Sequence, residues 1–132
     1  MIAIDASALS KYILKEPGWV KMGGYLRSGV SVDHVEKEVA NSIWKAYVLG
    51  YIGLEDAMIK FKALRRIVSK VIVIFDENRV MDSAFNIALE NKVTVYDALY
   101  IALAGERGLP LLTADRKQAD AAEKLGIKTI KC

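Results

Sequence analysis

Sixteen of the 132 residues are aspartate or glutamate, and four of them stand where an ordinary surface role does not account for them. Asp5 directly follows the apolar run Ile2-Ala3-Ile4, and Asp115 follows Leu111-Leu112-Thr113-Ala114. Asp97 is the only charged residue between Lys92 and Glu106, inside Val95-Tyr96-Asp97-Ala98-Leu99-Tyr100-Ile101-Ala102-Leu103-Ala104. Glu38 falls at the edge of the apolar arc that Val35, Val39, Ala40, Ile43, Trp44, Ala46 and Tyr47 form at helical spacing, with Asn41, Ser42 and Lys45 on its polar side. Brought to one place, such acids repel: two like charges ~4 Å apart cost about 4 kcal/mol at an effective dielectric of ~20. A cluster of this kind holds either bound protons or a divalent cation, and oxygen-only donors select the hard ions Mg²⁺ or Mn²⁺. His34 and Cys132 are the only histidine and cysteine, which argues against a His- or Cys-based metal site, a disulfide and a Ser-His-Asp triad. Each acid also has a plain structural reading. Asp5 and Asp115 suit helix N-caps, Thr94-x-x-Asp97 suits a capping box, and Glu38 near Lys45 suits an exposed helix face. Capping and metal ligation are compatible roles for one carboxylate.

The elements that would carry these residues alternate. Ile2–Ile4 reads as a buried strand ending at Asp5, followed by a helix over roughly Ala8–Lys15 that Pro17 and Gly18 stop. A short amphipathic helix over Val20–Arg27 and a strand at Val30–Val32 come next. Asp33-His34-Val35-Glu36 then has the form of a capping box opening a helix to about Leu49. Gly50 and Gly53 turn the chain into a second helix, Leu54–Ser69. The β-branched run Val71–Phe75 is of the kind found in the middle of a parallel sheet. Helices over Glu77–Glu90 and Thr94–Arg107, a strand Leu109–Thr113, a helix Arg116–Leu125 and a strand Ile127–Ile130 complete the chain. Five apolar strands alternating with helices predict a three-layer α/β domain, a parallel sheet with helices on both faces. Asp5 and Asp115 would then lie at the C-terminal edge of the sheet, where ligands bind open parallel sheets.

Composition agrees. At 132 residues, 53% hydrophobic, 27% charged and with two prolines, the chain has the makeup of one folded domain and not of a disordered or low-complexity segment. Nineteen Lys+Arg against sixteen Asp+Glu give a net charge of +3, which permits a nucleic-acid partner without a dense basic tail to announce one. Met1-Ile2-Ala3-Ile4-Asp5 lacks the form of a secretory signal, and no apolar run reaches the ~20 residues of a membrane span. A soluble, cytoplasmic protein with no membrane partner is expected.

Four stretches resemble the PIN-domain family, and most of all its VapC-type toxin ribonucleases. They are Ile4-Asp5-Ala6-Ser7, Glu38-Val39-Ala40-Asn41, Tyr96-Asp97-Ala98-Leu99-Tyr100-Ile101-Ala102-Leu103-Ala104 and Leu112-Thr113-Ala114-Asp115, in the family's order and spacing over about residues 1–130. The resemblance implies an α/β/α fold with a five-stranded parallel sheet ordered 3-2-1-4-5. It implies a Mg²⁺- or Mn²⁺-dependent endonuclease for single-stranded RNA, with Asp5, Glu38, Asp97 and Asp115 as the catalytic, metal-holding quartet. Ser7, Asn41 and Thr113 map onto supporting polar positions. A homodimer and a cognate antitoxin partner are implied as well. The charge logic is consistent: a phosphodiester is an anion that a bare acidic cluster would repel, and bound metal inverts that field and lowers the pKa of a bound water.

Lys11, Lys15, Arg116 and Lys117 are placed to grip RNA. Lys60, Lys62, Arg65, Arg66 and Lys70 form a denser run that reads first as a solvated helix face. Tyr12, Trp19, Tyr25, Trp44, Tyr47 and Tyr51 read as core or interface, with RNA stacking the lesser role. Asp120 should point away from the quartet. A non-catalytic PIN-like module that binds RNA or protein is the alternative; a phosphatase or receiver domain would need paired acids near the first strand, where Ser7 stands instead.

Overall fold

In the computed structural model, which describes residues 1–132, five short strands form one sheet in the order β3-β2-β1-β4-β5, every pairing parallel. β1 (Ile2–Ile4) is central because all three side chains are buried, and it pairs with β2 (Gly29–Val32) on one side and β4 (Leu111–Thr113) on the other. β3 (Val73–Phe75) and β5 (Thr129–Lys131) are the edges. The chain winds outward from β1 through β2 to β3 and then crosses to β4. The order therefore reverses between β1 and β4, the crevice where parallel sheets bind ligands.

The helices are α1 (Ala6–Ile13), α2 (Trp19–Gly23), α3 (His34–Val48), α4 (Leu54–Lys70), α5 (Met81–Asn91), α6 (Val95–Arg107) and α7 (Arg116–Lys124). α6 packs against β1, β2 and β4 and is buried from Ala98 to Ala104, as its nearly unbroken apolar sequence requires. α3 and α4 form a hairpin whose inner residues Val35, Val39, Ile43, Leu64 and Ile67 join the core. No helix is long and apolar enough to cross a membrane.

Three local expectations need correction. Val71–Phe75 is not a central strand: it begins at Val73, lies at the edge, and leaves Val73 51% exposed. Its β-branched residues signal strand, but apolar content alone does not distinguish an edge from a centre. The helix expected from Glu77 is a 3₁₀ turn over Glu77–Val80 that passes into α5 at Met81. Asp33 does not close a capping box on α3. Its own backbone is helical and its Oδ1 accepts from the Glu77 amide at 2.8 Å, while Glu36 accepts from Arg65 Nη1 at 2.8 Å. Both acids were claimed by partners distant in sequence.

The aromatic residues divide. Tyr12 and Trp19 pack edge to face at 5.8 Å. Trp44, Tyr47 and Tyr51 are exposed instead, beside Val48, Leu49, Leu54, Met58 and Ile59 at the turn of the α3–α4 hairpin. A second exposed apolar stripe, Met81, Phe85 and Leu89, follows helical spacing along α5.

Candidate active site

Asp5 ends β1 and is completely buried. Its backbone is extended, and its Oδ1 caps α1 by accepting from the Ala8 amide at 2.9 Å. Two hydroxyls complete its environment: Ser7 Oγ donates to Oδ1 at 2.7 Å, and Thr113 Oγ1 donates to Oδ2. Each hydroxyl has one proton and gives it to Asp5, so each is free to accept a backbone amide of the β4–α7 connection. Ala114 N–H donates to Ser7 Oγ at 2.9 Å and Asp115 N–H to Thr113 Oγ1 at 3.0 Å. The connection that carries Asp115 is thereby tied to the carboxylate that ends β1. Three donors occupy most of the roughly four lone-pair sites of Asp5. Burial nevertheless dominates and pushes its pKa up to about 6, against the lowering by Thr113, Ala8 and Ser7, with Asp115 adding a like charge.

Asp115 caps α7, its Oδ1 accepting from the amides of Lys117 at 2.9 Å and Gln118 at 3.4 Å. Thr94 caps α6 by accepting the Asp97 amide at 3.1 Å. Gln118, buried on α7, donates through Nε2 to the Asp97 carbonyl at 2.9 Å and fixes the first turn of α6 against α7. The Asp97 carboxyl is held above the usual range by burial first, then by the charges of Glu38 and Asp115, with Lys117 acting the other way. Glu38 reaches across from α3, where Tyr100 of α6 donates its phenol to Glu38 Oε1 at 2.7 Å and His34 Nε2 lies 3.3 Å from the same oxygen. Burial, then the Glu38 charge, drives the Tyr100 pKa far upward, so the phenol stays a donor.

Glu38, Asp97 and Asp115 line one cleft of about 350 Å³ with Ser7, Ser10, Ser42, Tyr100 and Gln118, and Asp5 lies beneath it through its bond to Ser7. No lysine or arginine forms an ion pair with any of the four acids. No three of them close around one point either. Each of Asp5, Glu38 and Asp115 is drawn to its own hydrogen-bond donors, as expected of like charges with nothing positive between them. The donor set fits a hard divalent cation: it is all oxygen, the Asp115 charge raises the pKa of Asp5 and of Asp97, the Glu38 charge also raises that of Asp97, and no lysine or arginine is ion-paired to the four acids.

Of the other residues singled out in the sequence, Ser7 and Thr113 belong to this network. Asn41 is exposed on α3, and Ser42, one position on, lines the cleft in its stead. Lys11 extends toward Gly18, and the Lys15 ammonium lies 5.5 Å from the Trp19 ring; neither lines the cleft, although their neighbours Ser10 and Glu16 do. Arg116 and Lys117 are exposed beside it, and Asp120 is exposed on α7. Lys62, Arg65, Arg66 and Lys70 border a separate open groove of about 530 Å³ with Glu36 and Ser69, while Lys60 bonds Asp56. Sequence reasoning missed Tyr100, Gln118 and His34 as site residues, and also Ser10 and the further carboxylate Glu16, which line the same cleft. Tyr100 and Gln118 have partners 62 and 21 residues away. The sequence signals for Tyr100 were its place in the Tyr96–Ala104 stretch that resembles the family and a phenol oxygen in the apolar part of that helix, one turn after Asp97.

The sequence matches the PIN domain family over residues 2–124. It is 37% identical over 90 residues to ribonuclease VapC3 of Pyrobaculum aerophilum, covering 68% of each chain. To exonuclease VapC9 of the same organism it is 30% identical over 115 residues, 86% of this chain and 80% of that one. The crystal structure of PAE2754 from Pyrobaculum aerophilum superposes with a TM-score of 0.74 at 25% identity, over 97% of this chain and 89% of that one. Strand order, the acidic cleft at the β1–β4 crevice and these likenesses agree, and the chain belongs to the PIN domain family.

Proposed function

We propose that this chain is a metal-dependent endoribonuclease that hydrolyses phosphodiester bonds of single-stranded RNA. The observation that carries the reading is the cleft itself: Glu38, Asp97 and Asp115 line it over buried Asp5 with no lysine or arginine ion-paired to any of the four. Asp5, Glu38, Asp97 and Asp115 are the residues that would hold Mg²⁺ or Mn²⁺. When bound, the ion supplies the Lewis acidity and positive charge that phosphodiester hydrolysis requires. The protein's own part is positioning. Ser7 and Thr113 fix both oxygens of Asp5, Tyr100 fixes Glu38, and the Gln118 bond fixes the helix turn that presents Asp97. Lys117 lies near enough to Asp97 to act on its charge, and with Arg116 it supplies positive surface at the rim.

The relatives' names support nuclease activity, since VapC3 is named a ribonuclease and VapC9 an exonuclease. We read this chain as the toxin of a toxin–antitoxin pair, acting in the cytoplasm as a homodimer. The exposed apolar surfaces at the α3–α4 turn and along α5 support partners of that kind, because apolar patches of this sort mark protein contacts. The test is cleavage of a fluorogenic single-stranded RNA. Wild type with Mn²⁺ should cut internally, and EDTA or Asp97→Asn should abolish cutting while the fold is kept. Equal cleavage by Asp97→Asn, or cleavage indifferent to EDTA, would overturn the reading.

A further inference from the structure

Tyr96 presents an aromatic face that the fold leaves open. It stands on the first turn of α6 next to Asp97 and is 59% exposed, yet its ring lies flat on the imidazole of His34, centroids 4.8 Å apart and planes 8° from parallel. His34 is itself clamped, with Nε2 3.3 Å from Glu38 Oε1 and Nδ1 3.7 Å from Glu77 Oε2. One face of the tyrosine ring therefore rests on a fixed support, and its exposure belongs to the other face.

The stack leads into the cleft. Tyr96 covers His34, His34 touches Glu38, and Glu38 lines the cleft with Asp97. That cleft is polar: apart from Ala6, Ala114 and Tyr100, its lining is carboxylate, hydroxyl and amide. With the divalent ion of the reading above it would take a nucleotide's phosphate, but it offers a base no open apolar plane. A base attached to that nucleotide needs an apolar plane just outside, and Tyr96 is an aromatic plane in that position, held in a single orientation. Single-stranded nucleic acid is commonly held by bases stacked on such side chains, largely without regard to sequence because every base has a π face.

We propose that the open face of Tyr96, backed by His34, is the stacking platform for the base of an RNA nucleotide beside the scissile phosphate. The assignment rests on the nuclease reading above. Stacking accounts for both the exposure of the ring and its immobilisation, which a merely solvated tyrosine would not need.

The experiment is steady-state cleavage of a single-stranded RNA oligonucleotide with Mn²⁺ by wild type, Tyr96→Leu, Tyr96→Phe and Tyr96→Trp. A matched series of substrates carries one abasic nucleotide, walked along the strand. Tyr96→Leu should raise KM by about fivefold to a hundredfold with kcat little changed. Tyr96→Phe should behave as wild type, and Tyr96→Trp should lower KM. One abasic position should raise the wild-type KM by a similar factor, and at that position Tyr96→Leu should add nothing further. A wild-type KM for Tyr96→Leu, or a loss that simply adds at every abasic position, overturns the platform and leaves the nuclease reading intact. A change in solution mass of Tyr96→Leu with no change in KM assigns the face to a protein contact and also overturns it. If wild type cuts no RNA, the nuclease reading falls and the platform falls with it.

Discussion

The Tyr100 hydroxyl donates to Glu38 Oε1 at 2.7 Å, joining the buried helix α6 to α3 across 62 residues of sequence. Tyr100 is 1% exposed and cannot move, so Glu38 is held over the cleft by a rigid support. Tyr100→Phe keeps the ring and removes only this bond. The variant should lose about 1–2 kcal/mol of stability, a typical value for a bond to a charged group that water can partly replace. Its kcat for RNA cleavage should fall by roughly tenfold with KM little changed, because the substitution disturbs orientation and not binding. Urea unfolding and steady-state kinetics measure the two effects separately.

Thr113 is the second positioning residue. Its hydroxyl donates to Asp5 Oδ2 and accepts the Asp115 amide at 3.0 Å, so one group serves two acids. Thr113→Val is nearly isosteric and leaves that amide and that oxygen without their partner. A loss of about 1–3 kcal/mol is expected, in the range for unsatisfied buried polar groups. Ser7→Ala should cost less, because Oδ1 of Asp5 retains the Ala8 amide. Equal stability of Thr113→Val and wild type in denaturant melts would show that the network is not formed.

Asp5 makes stability depend on pH in an unusual direction. Its folded pKa, about 6, lies above the ordinary 3.8. Between these values the folded state retains a proton that the unfolded state has lost, so stability falls as pH rises across the window. Well below 3.8 both states are protonated; above about 6 the fold carries a buried charge, at a cost on the order of 3 kcal/mol. Asp97, also raised, acts in the same sense, whereas Glu123 is lowered and fully exposed. In EDTA the melting temperature should be higher at pH 5 than at pH 7.5, and Asp5→Asn should flatten the difference. A wild-type profile that rises over that interval contradicts the assignment.

Gly29 tests the packing at the start of β2. A Cβ there would collide with Ile4 Cδ1, and would stand 3.1 Å from the Leu26 carbonyl and 3.2 Å from Ile72 Cγ2. Ile4 is wholly buried, so its Cδ1 can give way only by repacking its core neighbours, and the Leu26 carbonyl is backbone. Gly29→Ala should therefore destabilise the protein by about 1–3 kcal/mol, measured by thermal or urea unfolding.

The alternation of apolar runs and capped helices made the order of elements legible, because burial on both faces leaves continuous apolar strands. The PIN-family resemblance, and not periodicity, supplied the strand order 3-2-1-4-5. The four acids stood out by being charged in apolar surroundings or at strand ends. What escaped notice depended on distant partners. Asp33 and Glu36 match a local capping pattern, yet Glu77 and Arg65 engage them through the folded chain. As the sole histidine, His34 argued only against a histidine metal site and a Ser-His-Asp triad; its place between two glutamates and against Tyr96 is set by the fold. Val71–Phe75 looked central because hydrophobic content does not report how many neighbours a strand has.

The central claim is that the four acids are an ion site, and anomalous diffraction from crystals soaked in millimolar Mn²⁺ tests it most directly. The account predicts a Mn²⁺ peak within bonding distance of carboxylate oxygens from among Asp5, Glu38, Asp97 and Asp115, lost when Asp97→Asn crystals are soaked alike. Wild-type crystals with Mn²⁺ elsewhere on the surface and none in that cleft would contradict it.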